Sequence, residues 1–353
     1  MIILIYLIMN INISYNIYIF IMEHTVIDYV WIGGKGELRS KTRVLPGRIS
    51  NLEDIPSWNY DGSSTDQADG GSSEIFIYPK RLFRCPFRRP NGFIVMCDAY
   101  TPDGQPAIYN HRYNASHIFN KYIDQKPWYG LEQEYFIFDM ATDAPLGFNP
   151  KSKQGRYYCS VGGRNAFGRE ISDKHLEACL YAGITISGTN AEVAPGQWEY
   201  QVGPVEGIDA ADQLWISRYI LDKITEDHGA YIVYHPKPLV GDWNGSGCHT
   251  NFSTEAMRND GGLNVIMSSM NRLKEKHMEH MKVYGKHNKE RMSGDHETSS
   301  YDEFTYGIGS RKSSVRIPNE AVKNGKGYFE DRRPGGNVDP YQVTSIILET
   351  VMS

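Results

Sequence analysis

The feature that most constrains this chain is a run of aromatic and β-branched residues carrying paired carboxylates. Trp128-Tyr129-Gly130-Leu131-Glu132-Gln133-Glu134-Tyr135-Phe136-Ile137-Phe138 has the composition of a strand, and side chains two apart on a strand point to one face. Glu132 and Glu134 therefore share a face, where like charges repel unless solvent or a cation separates them. Taken alone, the pattern fits a solvated edge strand as well as a metal-binding one.

A second acidic pair shifts the balance. Residues 189–202 read as two strands reversing near Pro195-Gly196. In the second strand Gln197, Glu199 and Gln201 form a polar face, and Trp198, Tyr200 and Val202 form a packing face. Across the reversal Glu192 and Glu199 can converge. Residues 244–253 form a glycine-loosened loop entering an extended segment, with His249, Asn251 and Ser253 on one side. A lone His is more often a hydrogen-bonding group than a ligand. Residues 327–334, if extended, put Glu330 and Arg332 on one side. The five glutamates and one imidazole call for two or three divalent ions. A donor set so rich in oxygen suits Mg²⁺ or Mn²⁺ rather than zinc. Magnesium commonly shares substrate phosphates, so the chemistry expected is phosphoryl transfer.

Composition sets the frame. A chain of 353 residues, 40% hydrophobic, fills about two domains. A net charge of −5, from 37 basic and 42 acidic residues, excludes a strongly basic nucleic-acid coat. Five cysteines without a C-x-x-C pair exclude a disulfide framework or zinc ribbon and read as buried or partly buried thiols. Residues 1–22 are apolar and uncharged. They read as an upstream extension, with Met22 as a second start, in preference to a membrane anchor. No comparable apolar stretch follows, so no membrane partner is expected for the body. Residues 23–108 alternate short apolar runs with turns, and the glycines at 33–36 read as a hairpin turn rather than a phosphate loop. Helical patterns appear at 111–121, 173–182 and 210–227 within a larger region, 109–353. His277, His280, His287 and His296 read as part of a solvated helix and its surroundings, not a zinc site.

Taken together, the Trp58-Asn59-Tyr60-Asp61-Gly62-Ser63-Ser64-Thr65 motif, the Glu132/Glu134 strand, residues 189–203 and 244–253, His296-Glu297-Thr298 and residues 327–334 resemble glutamine synthetase of the eukaryotic type. The resemblance runs from about residue 26 to the end. It implies an α+β fold: a small N-terminal β-grasp domain, and a larger catalytic domain with a curved antiparallel sheet flanked by helices. It implies a cytoplasmic decamer of two stacked pentameric rings, with active sites between subunits. The implied substrates are L-glutamate, ammonium and ATP, and the implied cofactors are two to three Mg²⁺ or Mn²⁺ per site.

By the same resemblance Glu134, Glu192 and Glu199 hold one metal, and Glu132, His249 and Glu330 a second. Arg311 and Arg316 contact phosphate, Arg291 and Arg332 grip substrate carboxylates, and Asn244 and Gly245 hold the glutamate backbone. Asn251, Ser253 and Tyr328 match nucleotide-binding positions, and Asp61, Tyr158 and Glu297 an ammonium pocket. Lys151-Ser152-Lys153-Gln154 departs from the family's loop. A γ-glutamyl ligase using another amine and a catalytically silent relative are the competing readings. Intact Asp61 and Glu297 speak against the first, and the full set of metal ligands and arginines against the second.

Overall fold

The computed structural model describes residues 23–151 and 153–353. The 1–22 segment, with both readings of it, and Ser152 of the departing loop lie outside the described residues. Among the described residues no helix is long and apolar enough to cross a membrane. The chain divides into two compact units: the residues up to Asn110 with Tyr181–Gly183, and His111–Leu180 with Ile184–Ser353.

The first unit is a five-stranded mixed sheet built from β1 (His24–Ile32), β2 (Leu38–Pro46), β3 (Trp58–Asp61), β4 (Glu74–Arg84) and β5 (Gly92–Tyr100). Its order is β2-β1-β5-β4-β3, with β1 and β5 parallel at the centre. The glycines at 33–36 close the β1–β2 hairpin: Gly33 N–H donates to Glu37 O at 2.8 Å, and Gly36 takes the positive φ of 83° that the turn needs. Alternate residues Ile27, Tyr29 and Trp31 enter one core with Ile75, Ile77 and Val95, and Trp31 stacks on Tyr60 at 4.4 Å.

The second unit is a curled antiparallel half-barrel with helices. Its strands are β6 (Trp128–Asp139), β7 (Ala144–Pro145), β8 (Ile186–Ala191), β9 (Gln197–Glu206), β10 (Ala230–Val233), β11 (Cys248–Ser253), β12 (Tyr306–Ile308), β13 (Val315–Ile317) and β14 (Phe329–Asp331). The order is β12-β13-β14-β11-β6-β9-β8, with β7 and β10 also on β6, and only β12–β13 is parallel. The helices used below are α1 (His111–Lys121), α2 (Arg169–Ala182), α3 (Asp209–Thr225), α4 (Glu255–Arg258), α5 (Gly262–Glu275), α6 (His277–Met281), α7 (Asn288–Arg291), α8 (Asn319–Asn324) and α9 (Pro340–Met352).

The packing face of β9 behaves as its alternation requires, since Trp198, Tyr200 and Val202 are all buried. Helix α3, almost wholly buried, backs this face through a 2.8 Å bond between Tyr200 Oη and Ser217 Oγ. Its Arg218 crosses to β6 and donates to Gln133 Oε1 at 2.9 Å and to Val338 O at 2.9 Å. Gln133 thus points into the core while its neighbours Glu132 and Glu134 point away from it. This anchors the acidic face of β6 from behind.

Two expectations fail here. Cys159 is exposed, whereas the other four cysteines are buried as free thiols; it sits in a turn at φ 50°. His277 and His280 are buried rather than solvated. The flanking Lys276 and Glu279 take the solvent side of α6, while the two imidazoles turn inward towards Arg333. Arg333 is itself fully buried and fork-bonded to Asp331, at 2.9 and 2.7 Å, and Tyr284 Oη donates to the same carboxylate at 2.7 Å. Burial pushes His280 down to about 3, so it serves this network as a neutral ring.

Candidate active site

Strand register brings the acidic residues to one face of the half-barrel. Glu134 lies opposite Glu199 in the β6–β9 pair, and Glu132 opposite His249 in β6–β11. Glu330 lies opposite Asn251 on one side and Arg316 on the other. Directly opposed residues project the same way, so four neighbouring strands and the turn at Glu192 deliver their donors to one cavity of about 470 Å³.

Within it Glu132, His249 and Glu330 each offer a donor atom, and the three atoms lie within 4.8 Å of one another. His249 Nδ1 is 3.5 Å from Glu132 and 3.6 Å from Glu330. Burial, followed by the charges of Arg332, Arg291 and Arg316, holds His249 well below the usual imidazole range. It stays a neutral ring, the form that can donate a lone pair to a metal. Glu134, Glu192 and Glu199 form the second group. Each is pushed up to about 8, first by burial and then by another of the three: Glu192 acts on Glu134, Glu199 on Glu192, and Glu134 on Glu199. Three buried carboxylates that suppress one another's ionisation are relieved by a shared cation, but their donor atoms are spread more widely than those of Glu132, His249 and Glu330, which alone of the two groups fall within 4.8 Å. Local bonds aim them: Gly247 N–H donates to Glu134 Oε2 at 2.8 Å, Asn190 Nδ2 to Glu192 Oε1 at 3.0 Å, and Gln201 to Glu199. Both donor sets therefore fit hard divalent ions, with one imidazole among five carboxylates.

Cationic groups line the same cavity. Arg291 spends one edge on the carbonyls of Arg332, Arg333 and Pro334, at 3.1, 2.7 and 3.1 Å, while Nε donates to Asn288 Oδ1. Burial lowers it to about 10, still charged at neutral pH. Arg332 bonds Glu330 at 2.7 Å, and its Nε is buried without a partner among the described residues. Such a donor awaits an acceptor. Arg316 also pairs with Glu330, and Arg311 stands 3.7 Å from Glu297. Tyr158, Asn244, Gly245 and Glu297 line this cavity too. Asn251, Ser253 and Tyr328 instead line an adjoining one of similar volume, shared with Glu132 and Trp128. Asp61 belongs to the first unit, as the exposed last residue of β3 that caps the turn after it. There it accepts from Ser63 and Ser64, at 2.7 and 2.8 Å, and these bonds hold it down to about 2.

Comparison with known proteins now decides the family. Residues 110–285 match the family described as the glutamine synthetase catalytic domain. A putative glutamine synthetase of Acanthamoeba polyphaga mimivirus is 69% identical over 331 residues, covering 93% of this chain and 94% of that protein. The chain belongs to the glutamine synthetase family. Plant glutamine synthetases are further relatives. The nodule isozyme of Vigna aconitifolia is 52% identical, and cytosolic isozyme 1-1 of Oryza sativa subsp. japonica 51%, each over 336 residues and 94% of both chains.

Sequence reasoning missed several parts of this glutamine synthetase site. Gln154, in the departing loop, accepts from the Asn244 amide at 2.7 Å and contacts His296 Nδ1 at 3.1 Å, joining the 244 loop to the segment of Glu297. His296 and Glu297 both hold positive φ, 53° and 60°, unusual for side-chain-bearing residues. A polar residue in an irregular loop gives no periodic signal, so nothing local marked Gln154. Gln201 already stands on the polar face with Glu199, and Asn190, near the end of β8 and two residues before Glu192, could have been found by the same reasoning.

Proposed function

We propose that this glutamine synthetase makes L-glutamine from L-glutamate, ammonia and ATP through a γ-glutamyl phosphate. The reading is carried by the meeting, in one cavity, of three mutually suppressed carboxylates with the arginines Arg291, Arg316 and Arg332. A carboxylate is a poor electrophile, so ATP must first phosphorylate it; ammonia then displaces phosphate. Divalent Mg²⁺ or Mn²⁺, two to three per site, would be held by Glu134, Glu192 and Glu199 and by Glu132, His249 and Glu330, and would supply the charge that lets the anionic substrates meet.

The protein's own groups do the rest. Arg291, already fixed by three carbonyls, presents its remaining edge to the glutamate α-carboxylate, and Arg332 Nε finds there the acceptor it lacks. Asn244 and Gly245 hold the glutamate backbone. The adjoining cavity takes the nucleoside of ATP along Asn251, Ser253 and Tyr328, so that its phosphates run towards Arg311 and Arg316. Asp61 of a neighbouring subunit, kept anionic by its serine bonds, draws in ammonium and takes its proton as the nitrogen attacks the acyl phosphate, with Tyr158 and Glu297 completing the anionic pocket. The segment of Glu297 closes over the acyl phosphate and excludes water. The assembly is a decamer of two stacked pentamers in the cytoplasm.

Phosphate release from ATP, measured with and without glutamate and ammonium, tests the reaction. Release should require glutamate, rise with ammonium and match glutamine formed one to one. Release indifferent to glutamate overturns it. For Asp61→Ala, turnover should collapse at low ammonium; wild-type turnover there removes Asp61 from the mechanism.

A further inference from the structure

A second cluster of metal-ligating side chains lies outside the carboxylate centre. His235, just past β10, and His287 and Glu290, at the start of α7, offer one donor atom each within 4.8 Å of one another. We propose that these three residues bind a zinc-like transition ion that ties the chain at 235–237 to the helix carrying Arg291.

The geometry suits an ion held by two imidazoles and a carboxylate. The two rings have centroids 5.0 Å apart and planes inclined by 34°. Glu290 follows His287 by one helical turn, and its Oε1 is 2.9 Å from His287 Nδ1. The His287 and Glu290 side chains are more than half exposed, so an ion reaches them from solvent and water can complete a four-coordinate shell. The Lys237 amide donates to His235 Nδ1 at 3.0 Å, a bond that an ion at that nitrogen replaces. Two neighbouring ammonium groups are engaged elsewhere: Lys289 pairs with Asp302 at 3.2 Å, and Lys237 Nζ reaches Gly241 O and Trp243 O.

The donor chemistry separates this cluster from the catalytic one. Two nitrogens and one carboxylate favour Zn²⁺, Co²⁺ or Ni²⁺, whereas the oxygen-rich centre favours Mg²⁺ or Mn²⁺. His287 also occupies a left-handed conformation, φ 62° and ψ 9°, a place where glycine is the undemanding residue. Histidine tolerates this region better than most side chains, and the turn it makes brings its imidazole beside a second one from another element. The ion would brace the substrate side of the fold. Pro236, next to His235, accepts the Ser246 amide at 2.8 Å, and Arg291 directly follows Glu290. The site itself stands without the proposed reaction; only its consequence for Arg291 rests on it.

The test strips the full-length protein with chelator, then dialyses it against millimolar Mg²⁺ with micromolar Zn²⁺. Metal content is read by mass spectrometry, and Co²⁺ substitution by visible absorption. Wild type should retain one zinc per chain in the presence of Mg²⁺ and show tetrahedral cobalt bands. His287→Gly, whose backbone conformation glycine accepts, should lose both, as should His235→Asn, while Glu199→Gln keeps them. Circular dichroism confirms that each variant is folded, and either His variant suffices if the other is not. Zinc absent from wild type under Mg²⁺, or retained equally by the folded His variants, overturns the proposal. Zinc lost from Glu199→Gln alone places the ion in the catalytic centre and overturns it equally.

Discussion

Replacing Glu199 by Gln should make the metal-free protein more stable while it weakens metal binding. Glu199 is 9% exposed and raised from 4.5 to about 8 by burial and by Glu134 and Glu132. A raised folded pKa means that the group's contribution is fully present below about 4.5 and is lost as pH rises through about 8. At pH 7 the unfolded carboxylate is ionised, so folding must protonate it over a gap of about 2.5 pH units. At about 1.4 kcal/mol per unit, that costs about 3 kcal/mol. At pH 5 the gap is about half a unit, and the cost under about 1 kcal/mol. Glutamine keeps the shape and removes the proton requirement. Urea denaturation in chelator should therefore find Glu199→Gln more stable by up to about 3 kcal/mol at pH 7, with most of that gain gone at pH 5. Adding Mn²⁺ should reverse the order, since wild type gains by mass action what the variant cannot. A variant that is less stable than wild type in chelator, or a gain independent of pH, would refute the argument that these carboxylates are held together against their own charge.

Further expectations follow from other parts of the second unit. Arg333→Met strands the buried Asp331 carboxylate and should cost about 3–5 kcal/mol in urea denaturation, most of it recovered when Asp331 is replaced by Leu as well. Gly245→Ala brings a Cβ to 2.1 Å from Pro236 O and 2.6 Å from Arg291 Cγ; steady-state kinetics should show kcat/KM for glutamate down by about a hundredfold with circular dichroism unchanged. His280, held at about 3 by burial, takes up its proton more readily when unfolded. Its neutral form thus supports the fold fully above about 6.5, and that support is lost as pH falls towards 3. Wild type should therefore lose stability relative to His280→Gln by about 1.4 kcal/mol per pH unit between pH 6 and 4.

The acidic face was legible because strands impose a period of two. Glu132 and Glu134 with Gln133 between them, and Glu199 between Trp198 and Tyr200, declare their faces in the sequence, and register then places them opposite one another. The pairing of Glu330 with Arg332 followed from the same rule. What supports those faces was hidden. Arg218 reaches Gln133 across 85 residues of chain, and nothing in the alternation of residues 327–334 marks Asp331 and Arg333 as a buried pair. His277 and His280 sit among lysines and glutamates, so local composition described the outer side of α6 and missed the inner one. Strands of three residues, β12 and β13, are too short to show a period. His235 and His287 come from separate elements, and only the folded chain makes them neighbours.

The most direct test is a crystal grown with Mn²⁺, with diffraction data collected at the manganese absorption edge. The account predicts anomalous peaks between Glu132, His249 and Glu330 and among Glu134, Glu192 and Glu199. Peaks elsewhere, or an empty cavity in crystals soaked to saturation, would contradict it.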